Sequence, residues 1–303
     1  MRIIVHGGAG GAPDDPESRT ETLSRAARRG ASEETPLDAV EAAVRELESA
    51  SRFNAGRGGA VQSDGVVRTD AGVMRSDRTT GAACGMAGVQ HAASVARVVA
   101  EETPHVLLAG DPAVDLAESA GIETDLDLLT ERTRTRFGEA SPPGDAGRDA
   151  LGWVRERFGT DDDGDETDDD GEDDVSETDH DTVGAVAHDG ETLAAATSTG
   201  GRWFALAGRV GDVPQVGAGF YASPAGAASA TGHGEEIAEF GLARRVVSLI
   251  ADGRDASAAV TRAIEEFEAG TGATAGVIAI DSGGGIGEAH NAEAMGTGTD
   301  ETG

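Results

Sequence analysis

Apolar and polar positions along this 303-residue chain alternate between a strand-like and a helix-like period, and the switches mark out the elements. Arg2-Ile3-Ile4-Val5 reads as a first strand. Asp15-Pro16 then opens a helix over 16–29, a capping residue followed by the proline that suits a first helical position. Thr35-Pro36 opens a second, with Leu37, Val40, Val44 and Leu47 on one face. Ser63-Asp64-Gly65 between short β-prone runs signals a hairpin. Small-residue strands, among them 81–87, then alternate with helices near 94–101, 112–119 and 126–136. The second half starts with strands at 182–187 and 192–198, joined at Asp189-Gly190. Helices follow at 235–250 and 255–269, then a closing strand pair at 277–280 and 286–290. Strands grouped apart from helices predict helices packed outside stacked sheets, a mixed α/β or α+β domain.

The pattern breaks between residues 142 and 181. This segment reads as a linker with one short helix at 148–158, and from 161 onward nearly every side chain is Asp, Glu, Gly, Ser or Thr. Such a stretch cannot bury enough apolar surface to fold. It contains a near match to a calcium loop, running from Glu166 through Asp168, Asp170 and Gly171 to Glu177. An EF-hand loop begins with Asp and needs a helix on each side, so the tract reads as solvated disorder.

Charge narrows the function classes. The chain has 56 acidic residues against 24 basic ones, all arginine, for a net charge of −32. That balance repels nucleic acid and anionic membranes. With a core of Ala, Gly and Val it suggests a salt-adapted cytoplasmic protein. The lone Cys84 excludes an intrachain disulfide and, in a small-residue strand, reads as a buried, inert thiol. No apolar run reaches the roughly 18 residues of a membrane span, and 2–5 is too short for a signal segment. Gly217 to Ala222 fits a dinucleotide pattern, but no βαβ unit surrounds it. The histidines show no close metal spacing.

Thr182 stands where the acidic tract stops and a buried strand, Val183-Gly184-Ala185-Val186-Ala187, begins. Placed there, it can become a new N-terminus. A threonine hydroxyl is a weak nucleophile until a base takes its proton, and a free α-amine on the same residue is such a base. Its reference pKa, about 7.7–8.0, leaves a sizeable minority unprotonated near neutrality. Cleavage between Asp181 and Thr182 is therefore required by the chemistry, and the Thr182 hydroxyl can drive it by attacking the Asp181 carbonyl. Taken alone, a Thr in this position also fits simple strand propensity.

Three downstream segments bear on that choice: Ala196-Thr197-Ser198-Thr199-Gly200-Gly201, then Gly208-Arg209-Val210-Gly211-Asp212, then Thr231-Gly232-His233-Gly234-Glu235. With Thr182, their order and spacing resemble the isoaspartyl peptidase/plant-type L-asparaginase family of N-terminal-nucleophile hydrolases. Upstream, His6-Gly7-Gly8-Ala9-Gly10 and Phe53-Asn54-Ala55-Gly56 look like that family's first strand-turn and glycine-rich loop. The resemblance implies a four-layer αββα sandwich, matured into fragments 1–181 and 182–303 and hydrolysing β-aspartyl peptides and L-asparagine without an organic cofactor. It casts Thr182 as nucleophile, Thr199 as the neighbouring hydroxyl, and Thr231 with Gly232 as the oxyanion hole. Arg209 and Asp212, with Val210, Gly211, His233 and Gly234 around them, become the clamp on the substrate's α-carboxylate and α-amine. As a bare motif, Arg209 and Asp212 also fit an ion pair in a turn. The loop from Leu47 to Arg57 matches a segment that binds sodium in relatives, and a homodimer of processed units is expected. The sequence departs from the family at Asp181, where Gly is usual, and at 202–207, where Arg202-Trp203-Phe204 replaces a more polar stretch and changes the expected pocket rim. His180-Asp181-Thr182 also resembles the related glycosylasparaginases, which makes the sugar–asparagine amide an alternative substrate. A catalytically silent acidic binding or structural protein on the same fold is the alternative of another class.

Overall fold

A computed structural model of the chain describes residues 1–13, 15–143, 148–158 and 182–302. Asp181, the calcium-loop match and the rest of the acidic tract lie outside the described residues. Among those described, eleven strands form two sheets. The larger is built from β1 (Arg2–Gly10), β2 (Arg68–Arg75), β3 (Thr80–Ala87), β4 (Leu107–Ala109), β5 (Val183–His188), β6 (Leu193–Thr199) and β11 (Ala294–Glu301). Its order is β11-β1-β5-β6-β2-β3-β4, antiparallel except for the β3–β4 pair. The smaller sheet takes β7 (Phe220–Ser223), β8 (Gly226–Gly232), β9 (Ala275–Asp281) and β10 (Ile286–His290), in the order β10-β9-β8-β7.

Side-chain alternation along the strands separates three apolar layers. Ile3 and Val5 of β1, Ala185 and Ala187 of β5, and Ala194 and Ala196 of β6 face the helices α1 (Pro16–Ala31), α2 (Pro36–Glu48), α3 (Ala92–Glu102) and α4 (Asp111–Ser119). Their in-between neighbours Ile4, Val186, Leu193 and Ala195 face the second sheet, where Phe220, Ile278 and Ile280 meet them. Ala228, Ala230, Val277 and Ala279 turn the other way, onto α8 (Leu242–Ala251) and α9 (Ala256–Thr271). The result is the expected four-layer αββα sandwich. Strands covered on both faces are buried along their whole length, which is why they read as unbroken small-apolar runs.

Local chemistry sets the helix starts. Asp15 accepts the Ser18 amide, Thr35 the Asp38 amide and Asp255 the Ala258 amide, each ahead of its helix. Three expectations need correction. The helix expected at 126–136 is α5 (Glu131–Ala140), starting where Thr130 and Thr133 exchange cap hydrogen bonds. Ser63-Asp64-Gly65 does turn the chain, with the Gly65 amide donating to Gln62 O, but no strand immediately precedes it, and β2, which follows, pairs with β3 and β6 instead of forming a hairpin there. The single helix expected at 235–250 is two, α7 (Gly234–Phe240) and α8, because Gly241 sits in the left-handed region at φ 72° and breaks the ladder. The short helix at 148–158 is present as α6 (Arg148–Phe158).

Candidate active site

Several strand ends converge at one edge of the sandwich. β5 begins just after Thr182, β6 ends at Thr199, β8 ends at Gly232, and Asp70 of β2 lies opposite Thr199 in register. A recess there brings together Thr182, Thr199, Arg209, Gly211, Asp212, Gly232 and Gly234 of the predicted set, and adds Asn54, Gly201 and Arg202.

The Thr182 hydroxyl donates to Thr199 Oγ1 at 3.3 Å, and both residues are buried. Thr199 sends its own proton to the Asn54 carbonyl at 3.4 Å and accepts the Gly201 amide at 3.1 Å. Its oxygen is thereby left as an acceptor for Thr182. Asn54 fixes this corner from both ends: its side-chain nitrogen donates to Gly201 O at 2.6 Å, and its side-chain oxygen accepts the Ala60 amide at 2.6 Å. Beneath Ser198, wholly buried Glu48 accepts the Ser198 hydroxyl at 2.7 Å and the Ala93 amide at 3.0 Å, tying β6 to the end of α2 and the start of α3.

Arg209 and Asp212 stand together, but not as a simple pair. Arg209 gives Nε and Nη2 to Glu235 at 2.8 and 2.6 Å, so its fork already holds a carboxylate. Asp212 is buried, and among the described residues its Oδ2 has no hydrogen-bond partner. Burial lifts its carboxyl to about 7 while the Arg209 charge pulls the other way. An unpartnered carboxylate oxygen beside a guanidinium is a seat for an ammonium group. Gly234 makes room for this arrangement, since a Cβ there would stand 2.8 Å from both Arg209 Nη2 and Asp212 Oδ1. Gly232, at φ 138°, turns the chain out of β8 with wholly buried Thr231 just before it. With Thr231, two further predicted residues stand outside the recess lining. Val210 is exposed, and His233 precedes α7 as its N-cap residue with its amide on Thr274 O at 3.0 Å.

Sequence reasoning missed Asp70, a buried carboxyl that accepts the Gly85 amide at 2.7 Å and that burial pushes up to about 7. The signal was an acidic residue inside an otherwise small-residue strand. Burial, then the Asp70 charge, raises the Cys84 thiol to about 11, in line with an inert cysteine. Also missed was a polar chain between the sheets: His6 Nε2 meets Ser229 Oγ at 2.9 Å, Ser229 meets Thr197 Oγ1 at 2.6 Å, and Thr197 donates to Gly219 O at 2.9 Å.

No group of three or more metal-ligating side chains occurs among the described residues. In the loop from Leu47 to Arg57 the carbonyls of Glu48, Ala50, Arg52, Asn54 and Gly56 already accept protein hydrogen bonds. No described helix is long and apolar enough to cross a membrane.

Comparison with known proteins places the chain in a family. The Asparaginase_2 (asparaginase) family model matches residues 1–303. A plant-type L-asparaginase of Pyrococcus abyssi is 38% identical, covering 97% of this chain and 94% of its own. A probable isoaspartyl peptidase/L-asparaginase of Drosophila pseudoobscura pseudoobscura is 33% identical, over 97% of this chain and 91% of its own. The isoaspartyl peptidase/L-asparaginase of Rattus norvegicus is also 33% identical, over 92% and 80% respectively. The chain belongs to the asparaginase family that these proteins share.

Proposed function

We propose that this protein is a self-processing amidohydrolase that cleaves β-aspartyl peptides and L-asparagine through an N-terminal Thr182. Its relatives are named for these two activities. The observation that carries the reading is the recess itself. A buried threonine hydroxyl, directed onto a second hydroxyl, shares it with the Arg209 guanidinium and the buried Asp212 oxygen that has no partner among the described residues.

That set matches the substrates group by group. L-Asparagine and a β-linked aspartyl peptide each present a free α-carboxylate, a free α-amine and an amide on the β-carbonyl. Arg209 takes the carboxylate, using N–H groups not given to Glu235 or displacing Glu235 outright. Asp212 Oδ2 receives the ammonium. An α-linked aspartyl peptide has spent that carboxylate and loses the Arg209 contact.

Chemistry then follows in two steps. The Thr182 α-amine, freed by cleavage after Asp181, takes the hydroxyl proton as Oγ1 attacks the β-carbonyl carbon. The oxyanion forms beside the Gly232 amide and the Thr231 hydroxyl, where each well-aimed donor lowers the barrier by about 3 kcal/mol. The amide C–N bond breaks, the proton passes to the departing nitrogen, and a Thr182 ester remains. Water, deprotonated by the same amine, hydrolyses the ester to aspartate.

Intact-mass analysis and N-terminal sequencing test the first half: the wild type should yield a fragment beginning at Thr182, and Thr182→Ala should stay full length and inactive. Turnover of β-Asp-Leu with no turnover of α-Asp-Leu tests the second. Normal processing of Thr182→Ala would remove Thr182 from the nucleophile role.

A further inference from the structure

Arg202 has no part in the clamp or the oxyanion site, yet it lines the recess beside Thr182 and Arg209. Its guanidinium lies 4.2 Å from the centroid of the Phe158 ring on α6. It forms no ion pair among the described residues, although Arg209 nearby is held by a two-bond pair with Glu235. Glu235 and Glu236 are near enough to favour its charge, Arg209 opposes it, and burial weighs most against it. An arginine drawn partly out of water without a bonded counter-ion is an anion seat.

Its surroundings hold it there. Two residues on, Phe204 is a bulky residue in the left-handed region at φ 60°, with its amide bonded to Val61 O at 2.8 Å. Trp153 packs edge-on against Phe204 at 5.7 Å, and Arg157 lies over the same ring at 4.6 Å. The rim from Arg202 to Phe204 is thus braced by α6 in a conformation that a large side chain seldom adopts. Strain of this kind at the lip of a site points to positioning.

We propose that Arg202 forms a leaving-group subsite, its guanidinium receiving the free carboxylate of the residue released from a β-aspartyl dipeptide. The proposal rests on the amidohydrolase reading above and gives it a preferred substrate class. A β-aspartyl dipeptide carries two carboxylates and one ammonium; the recess offers two guanidinium groups and one unpartnered carboxylate oxygen. L-Asparagine fills only Arg209 and Asp212, because its leaving group is ammonia. In a longer peptide the carboxylate beyond the scissile bond is consumed in the next amide, so Arg202 has nothing to grip. Arg202 takes no proton and makes no bond; it positions the departing amino acid while Thr182 and its amine carry out the transfer.

The test compares β-Asp-Leu, β-Asp-leucinamide and L-asparagine at one fixed salt concentration, with the processed wild type and with R202Q and R202K. A charge-assisted contact predicts that the wild type prefers β-Asp-Leu over its C-terminal amide by roughly ten- to a hundredfold in kcat/KM. R202Q should bring that ratio close to one, with R202K in between. Each ratio is taken within one preparation, so a partly misfolded variant still reports it. Equal kcat/KM for acid and amide in the wild type, or an unchanged ratio in R202Q, would overturn the subsite. Failure of the wild type on all three substrates would instead overturn the amidohydrolase reading beneath it.

Discussion

At the residue scale the site rests on protons that have few places to go. With the Thr197 hydroxyl directed to the Gly219 carbonyl, Thr197 accepts from Ser229, and Ser229 in turn accepts from His6 in its Nε2–H tautomer. Burial lowers its pKa to about 3, outweighing a nearby Thr182 backbone group that acts in the other direction, and keeps it neutral. Asp212 runs the opposite way: raised to about 7, chiefly by burial, it binds a proton as the pH falls through neutrality, which in the proposed clamp would release the substrate ammonium. The Thr182 α-amine is also disabled by protonation, with a reference pKa of about 7.7–8.0. Because kcat/KM reports groups of the free enzyme, its logarithm should fall on the acid side with a slope approaching two. Asp212→Asn should reduce that slope to one along with the rate. A slope of two in the Asn variant would assign the second proton elsewhere. Arg209→Ala should lower kcat/KM on both L-asparagine and β-Asp-Leu by about a hundredfold or more, since a charged hydrogen-bonded contact contributes about 1.5–3 kcal/mol and Arg209 can make two. Self-cleavage should persist in that variant, because the internal substrate has no free α-carboxylate, and electrophoresis reads this directly.

At the element scale the two sheets are locked by few large side chains. Phe220 of β7 is wholly buried between them, and its ring occupies the space that a Cβ on Gly72 of β2 would enter, 2.0 Å away. Phe220→Ala should therefore destabilise the fold by about 3–5 kcal/mol, measured by denaturant unfolding, because the alanine-rich layer around it offers little to close the gap. A cost below about 1 kcal/mol would mean that the sheets repack freely. This layer also explains what was legible beforehand. β5, β6, β9 and β10 announced themselves as apolar runs between turn signals, and the αββα order followed from resemblance. β7, β8 and β11 did not, since Ala-Ala-Ser-Ala and Gly-Thr-Gly-Thr carry almost no periodic contrast and are made strands by their neighbours. The break at Gly241 was hidden because apolar residues recur on both sides of it and a single glycine does not by itself end a helical pattern. Of the recess, Thr182, Thr199, Arg209 and Asp212 were grouped beforehand by the family resemblance, and the fold brings these four together. Asp70, Asn54 and Glu48 could not be given roles, because each acts through a partner between about 15 and 150 residues away in sequence.

At the scale of the whole molecule, the proposed cut after Asp181 divides the larger sheet without dividing it in space. Fragment 1–181 contributes β1, β2, β3 and β4; fragment 182–303 contributes β5, β6 and β11. In the order β11-β1-β5-β6-β2-β3-β4 the two alternate, so three strand pairs, β11–β1, β1–β5 and β6–β2, cross between them. Without the second fragment, β1 is an isolated strand parted from β2 by the width of two missing ones. Cleavage should accordingly leave the fragments bound to each other: they should elute together in native size exclusion, appear as two bands only under denaturing conditions, and unfold in one transition. The net charge of −32 acts on the same assembly. At molar salt the Debye length is about 3 Å and the self-repulsion is screened, whereas at 0.01 M it is about 30 Å and spans much of the molecule. Lowering the salt should therefore lower the midpoint of that single transition, with the processed form falling further than Thr182→Ala, which keeps the two halves covalently joined. Fragments that separate at high salt, or a midpoint indifferent to salt, would show that the interleaved sheet or the surface charge had been given the wrong weight.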